Sequence, residues 1–282
     1  MAAIASGRRV AHGSGEADTT MSDEILLTGG NVTQVVRIGD TVRRTPGPWT
    51  ATVHELLRHL EAVGFQGTPR ALGFEDTGRE VLSYMEGETG FFGADEVRPP
   101  NLWSDKVLVE AAKFLRRFHD ATVGFVPPAD AVWQLVFPDC DRHEVICHND
   151  FAWYNCVFRD GRLSAAIDFD TAGPAPRVWD VTYAAWRFVP LGAGPIPPSE
   201  QGRRLKLFCD AYGLDDREGF VDAIRERIAA ARRMVLDGAA AGHPGYQRIL
   251  AEGGHIEGME QDLAFVEEQA VEFQRWVDAS PT

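Results

Sequence analysis

The sequence predicts an α+β protein with a β-rich first third and a mainly helical remainder. Three observations carry that expectation. Short apolar runs punctuated by Gly, Asp and Pro fill residues 26–86. Apolar residues at helical spacing dominate after residue 104, most plainly beyond Pro198. Between these regions, residues 145–168 read as strand, polar loop, strand, tight turn, strand.

The β-rich part opens after an Ala-, Gly-, Ser- and Arg-rich stretch, residues 1–20, which lacks a periodic apolar face and is expected to be a disordered tail. Leu26 to Ile38 reads strand, glycine turn, strand, with Gly29-Gly30 at the turn. Gly39-Asp40 turns the chain into a third strand, Thr41 to Arg44, which places Arg43 and Arg44 on opposite faces. Pro46-Gly47-Pro48 breaks that strand. A helix follows over residues 52–62, with Val53, Leu56, Leu57 and Leu60 inward and Thr52-x-x-Glu55 as a capping box. Two further strands cover residues 69–74 and 81–85.

Residues 87–100 are Gly-, Pro- and acid-rich and read as loop. A helix over residues 105–119 buries Leu108, Ala111, Ala112, Leu115 and Phe118 and ends on His119, where a cation suits the helix dipole. Residues 121–144 show little periodicity. After the central stretch, a Pro/Gly loop at 173–176 leads into an apolar helix through Trp186, with Asp180 near its start. Helices are expected over 199–212, from the Asp215/Glu218 capping box to about residue 242, and over 256–277.

Composition excludes several classes. The net charge is −14, from 42 acidic and 28 basic residues, which disfavours nucleic acid and anionic membrane as partners. No apolar run approaches the roughly 18 residues of a membrane span. Cys140, Cys147, Cys156 and Cys209 form no C-x-x-C pair or zinc spacing, as expected for reduced thiols in a cytoplasmic protein. Nothing in the sequence sets the oligomeric state.

The chemistry concentrates in residues 145–170. Val145-Ile146-Cys147 is a strand, His148-Asn149-Asp150 opens a loop, and Asn155 closes it before Cys156-Val157-Phe158. The Asp160-Gly161 turn then leads through Leu163–Ile167 to Asp168. Asp150, Asn155 and Asp168 suit phosphoryl transfer. That reaction needs magnesium held against nucleotide phosphates by hard oxygen ligands, and a carboxylate to orient the attacking hydroxyl.

With His148-Asn149-Asp150, four residues, Asn155, and then Asp168-Phe169-Asp170, the chain resembles the aminoglycoside phosphotransferase family of the protein-kinase-like superfamily. The wording also resembles that family's trifolitoxin-immunity-like members. The Asp-x4-Asn spacing is that of the kinase catalytic loop. Asn149 and Asp170 stand where protein kinases carry Arg and Gly, which favours a small-molecule acceptor. The resemblance implies a bilobal fold: an N-lobe over residues 21–86 that binds nucleotide and a C-lobe over 87–282 that carries catalysis and acceptor binding.

It further implies Asp150 as catalytic base and Asn155 and Asp168 as Mg2+ ligands, with ATP or GTP as co-substrate. Arg43 takes the place of the usual strand lysine, and Glu55, or His54 one position earlier, is expected to pair with it. Backbone groups of Ser83, Tyr84 and Met85 would bond the base of the nucleotide. Asp180 would brace the catalytic loop. The C-terminal helices would line the site for a hydroxylated small molecule, possible antibiotics among them. Glu260, Asp262, Glu267 and Glu268 read either as contacts for a cationic acceptor or as a solvated face. The alternative is a catalytically inactive binding or immunity protein.

Overall fold

The computed structural model describes residues 8–9 (backbone), 24–27, 35–90, 102–136 and 143–279. The glycine turn at 29–30, most of the N-terminal stretch and Cys140 lie outside the described residues.

Residues 8–83 build one antiparallel sheet. Its strands are β1 (Arg8–Arg9), β2 (Ile25–Leu27), β3 (Val35–Ile38), β4 (Thr41–Arg44), β5 (Ala71–Phe74) and β6 (Glu80–Ser83), in the order β1-β2-β3-β4-β6-β5. Between β4 and β5 the chain makes helix α1 (Thr50–Ala62), whose Val53, Leu56, Leu57 and Leu60 are buried in the main core. The expected capping box does not form. Trp49 is the N-cap, without a side-chain bond, and Thr52 instead accepts the Val132 amide at 2.9 Å. Glu55 is left on the surface, paired with Arg58 at 2.5 Å.

Two small sheets follow. β7 (Glu88–Thr89), β9 (Cys156–Arg159) and β10 (Arg162–Ala166) form one, in the order β10-β9-β7. Asp160 and Gly161 join β9 to β10 with φ of 52° and 68°, the positive pair that a type I′ hairpin turn requires. β8 (Val145–Cys147) pairs with β11 (Gly173–Ala175), a strand where the sequence suggested only loop.

Among the described residues, six α-helices follow: α2 (Asp105–Thr122), α3 (Arg177–Phe188), α4 (Pro198–Tyr212), α5 (Phe220–Ala240), α6 (Pro244–Glu252) and α7 (His255–Asp278). Ser104 caps α2 by accepting the Val107 amide at 3.3 Å. The second capping box also fails: α5 starts at Phe220 after a left-handed Gly219, with no side-chain cap. Helix α6 was not expected, because its few apolar residues lie between Pro244 and Gly253-Gly254 and show no long stripe. One hydrophobic core runs from α1 through α2 and the 146–169 segment to α7. Among the described residues, no helix is long and apolar enough to cross a membrane.

Candidate active site

The loop after β8 is fixed from beneath by one carboxylate. Asp180, wholly buried near the start of α3, accepts the backbone amides of His148 at 2.7 Å and Asn149 at 2.9 Å. It also accepts His119 Nε2–H at 3.1 Å, while His119 Nδ1 takes the Tyr212 hydroxyl at 2.7 Å. His119 is therefore no charged helix cap. Burial, which outweighs the neighbouring Asp180, holds its pKa below the usual value. His119, Cys147 and Asp180 lie close enough to hold a metal, but both Asp180 oxygens are already occupied by N–H donors. From the other side, buried Arg227 of α5 donates to the Asn149 carbonyl at 2.7 Å. Asn149 itself sits at φ 65°, and its side-chain amide donates to the Thr171 carbonyl at 2.9 Å.

This bracing sets Asp150 and Asn155 face to face. Asn155 Nδ2 donates to Asp150 Oδ2 at 2.9 Å and to the Asp150 carbonyl at 3.0 Å. The other oxygen of Asp150 takes two phenols, Tyr154 and Tyr183, each at 2.6 Å. Burial and the Asp150 charge push the pKa of both phenols up, so they remain donors. Neither tyrosine was anticipated. Tyr183 lies on α3, 33 residues after Asp150, and nothing local marks it.

Asp168 ends the segment after β10 in the left-handed conformation, at φ 66°. Asp is one of the few L-residues that adopt this conformation readily. The Ile167 amide donates to the Asn155 carbonyl at 2.9 Å, and Ile167 O is 3.1 Å from His148 Nε2. These bonds tie the Asp168 segment to the loop of residues 148–155. Asp150, Asp168 and Asp170 line one cleft of about 430 Å³. A divalent cation fits this donor set. Asn155 Oδ1 is buried without a hydrogen-bond partner, its amide is locked by Asp150, and Asp150 lines the cleft together with the carboxylates of Asp168 and Asp170, which are hard ligands.

On the sheet side of the cleft, the arginine that faces inward is one residue later than expected. Arg43 points away from the cleft, onto Thr41 and, at 3.5 Å, onto Glu75. Arg44 points in. It pairs with Glu80, with Asp168 at 3.2 Å and with Asp170 at 2.5 Å. Burial opposes its charge, but the three carboxylates outweigh that effect and keep it protonated. Its carboxylate partner comes from β6 rather than from α1. His54, not Glu55, is the buried α1 residue here, and it binds Glu80 at 3.0 Å. Two of the three expected base-binding amides are also already committed. The Ser83 amide donates to the Arg70 carbonyl at 3.0 Å and the Tyr84 amide to the Asp40 carbonyl at 2.8 Å. The Met85 side chain packs against the Val157, Ala165 and Ile167 cluster.

The far end of the same cleft is walled by α3, α5, α6 and α7, with Trp186, Arg187, Met234, Tyr246, Met259 and Asp262 among its lining. Of the four acids picked out on α7, only Asp262 reaches this wall. Glu260 and Glu267 pair with surface arginines Arg232 and Arg225, and Glu268 is exposed.

Three comparisons bear on this site. Residues 127–219 match the model of the phosphotransferase enzyme family APH. The trifolitoxin immunity protein of Rhizobium leguminosarum bv. trifolii is 37% identical over 219 residues, which is 72% of this chain and 80% of that protein. Two solved structures share the fold at low identity. The macrolide 2′-phosphotransferase MphH from Brachybacterium faecium aligns at a TM-score of 0.53 and 14% identity, over 79% of this chain and 88% of its own. The streptomycin–ATP–APH(2″)-IIa ternary complex aligns at 0.50 and 15%, over 80% and 90%.

Proposed function

Because the chain belongs to the aminoglycoside phosphotransferase (APH) family of phosphotransferase enzymes, we propose that it transfers the γ-phosphate of ATP or GTP to a hydroxyl of a small molecule. The observation that carries this reading is that Asp150, Asp168 and Arg44 line one cleft, with buried Asn155 bonded to Asp150 behind it. The acceptor oxygen forms a bond to the γ-phosphorus as the bond from that phosphorus to the bridging oxygen breaks. The nucleoside diphosphate leaves, and the hydroxyl proton passes to Asp150. Asn155 and Asp168 would hold Mg2+, which neutralises charge on the phosphates when bound. Arg44 adds a fixed positive charge beside it. We place the nucleotide against residues 21–86 and the acceptor against the helical part, 87–282.

Asp150 orients the hydroxyl, so one of its oxygens must be open to the acceptor. Oδ1 carries two phenols, and the acceptor hydroxyl would displace one of them. The same feature favours the second reading, an inactive binding or immunity protein, since an Oδ1 that never sheds its phenols cannot take the acceptor proton. Transfer of labelled γ-phosphate with Mg2+, screened over hydroxylated metabolites and antibiotics, separates the two. In the enzyme, Asp150→Ala lowers turnover by about 10³ or more, because general base and acceptor positioning are lost together. Equal turnover in wild type and variant would remove Asp150 from this role.

A further inference from the structure

Arg187 of α3 is the basic residue at the acceptor end of the cleft whose charge no protein group answers directly. It lines the cleft together with Asp150. Its guanidinium lies over the Trp186 ring at 4.7 Å and near the Tyr154 ring at 5.4 Å. It makes no hydrogen bond or close ion pair with a described residue. Its Nε is buried without a hydrogen-bond partner, and the residue itself lines the cleft. Burial opposes its charge, but Tyr154, Tyr183 and the carboxylates of Asp150 and Asp262, none of them in a direct bond to it, outweigh that effect and hold its pKa above the ordinary value. The oxygens of Asp150 are taken by Tyr154, Tyr183 and Asn155, and Asp262 Oδ2 takes the Trp186 indole N–H at 2.9 Å. The contrast with Arg44, which is surrounded by three carboxylates in the same cleft, is complete.

Arg187 is a half-buried cation on the cleft wall with no direct ion pair among the described residues, which leaves its donors available to a ligand. Arginine held flat on an aromatic face offers its two terminal nitrogens to an oxyanion in a fixed geometry. Much of the wall beside it, including Trp186, Met234, Tyr246 and Met259, is apolar or aromatic, and its basic residues are Arg227, His243 and His255. Its one further acid, Asp262, is pushed by burial toward the neutral form. Such a wall offers a polycationic ligand little.

We infer that the acceptor is a hydroxylated compound with an apolar body and an oxyanion group, and that Arg187 is the residue that selects the oxyanion. This inference rests on the proposed phosphotransferase site for the word acceptor, but the binding preference it states does not depend on turnover. The test is therefore direct titration calorimetry on the full chain without nucleotide. The probes are 3-phenyllactate, its neutral amide, and the cationic phenylalaninol. Phenyllactate is expected to bind at least tenfold more tightly than the amide, as a charge-assisted bond implies, and phenylalaninol more weakly than either.

Arg187→Gln should remove the preference for phenyllactate while leaving Mg2+–ATP affinity within about twofold. Arg187→Lys keeps the charge, loses the planar pair of donors, and should retain only part of the preference. Thermal melts of both variants show that they are folded, and the wild-type comparison needs no variant. Equal or tighter binding of phenylalaninol, or no binding of phenyllactate at millimolar concentration, overturns the inference. So does an Arg187→Gln variant that loses ATP affinity and keeps the preference, since Arg187 would then be a nucleotide contact. A chain that prefers phenyllactate yet transfers no phosphate upholds this inference and refutes the proposed activity. The reverse pattern does the opposite.

Discussion

Arg44 and Arg43 are neighbours in sequence and face opposite ways, because side chains alternate along a strand. Arg44 is held among Glu80, Asp168 and Asp170, and Arg43 among Thr41 and Glu75 on the other face of β4. Arg44→Ala is expected to strip three carboxylates of their shared counter-charge. Breaking a buried ion pair from one side costs about 3–5 kcal/mol, and the loss of a phosphate-facing cation should weaken Mg2+–nucleotide binding by a factor of about 10–100. Arg43→Ala should change that affinity by less than about twofold. Titration of Mg2+–ATP into both variants decides it, and equal effects would return the phosphate side to Arg43. The sequence contained a hint of the right register. Val42 shares a face with Arg44, and an apolar neighbour two residues away marks an inward face, but a slip of one residue flips the whole assignment. Asp150, Asn155 and Asp168 could be singled out together because one loop and the strand end beside it carry them in a short span. Tyr154, Tyr183 and Arg187 were not, because each reads as ordinary helix or loop filling until the tertiary fold aims it at the cleft.

At the scale of elements, α2, α3, α4 and the catalytic loop meet at the buried chain Tyr212, His119, Asp180 and the amides of residues 148 and 149. Burial, the largest influence, holds His119 below its ordinary pKa. Burial pushes Asp180 up, but His119 and the loop amides outweigh it and hold that carboxyl below its ordinary value. The sign follows for both groups. As pH falls below about 6.5 the unfolded chain protonates a histidine that the folded chain keeps neutral, so stability declines toward the folded pKa. The Asp180 contribution is present above the unfolded value of about 3.9 and is lost as pH falls through its lower folded pKa. Denaturant midpoints between pH 7 and pH 5 should therefore fall more steeply in wild type than in His119→Gln, whose overall stability is lower. Parallel slopes would show that His119 titrates normally. Helix spacing made α2 and most of α3, α4, α5 and α7 readable, while both capping boxes failed. Thr52 was claimed by Val132, and α5 began beyond Glu218. A capping motif states what a residue can bond, and long-range packing decides what it does bond.

On the scale of the whole molecule, the cleft is lined by residues from Val35 to Asp262, so no window of sequence displays it. Its two sides are already linked without ligand, since Arg44 and Glu80 belong to the large sheet and Asp168 and Asp170 to the segment joined to the helical part. A Mg2+–nucleotide bound between them would add contacts to both sides at once. At a concentration of 100 Kd, binding to the folded state alone contributes about 2.7 kcal/mol. For a chain of this size that amounts to a rise in Tm of about 5 °C. The rise should be seen in one cooperative transition, because a ligand that spans the cleft stabilises sheet and helices together. Asp168→Asn should abolish the magnesium-dependent part of the rise, and its ligand-free melt should lie below that of wild type because one of the carboxylates paired with Arg44 is neutralised. Scanning calorimetry with Mg2+–ATP, and with ATP plus a chelator, reads both effects. A melt that splits in two, with only the first step moved by nucleotide, would mean that the nucleotide touches the sheet alone. The Asp168 side of the cleft would then have no part in holding it.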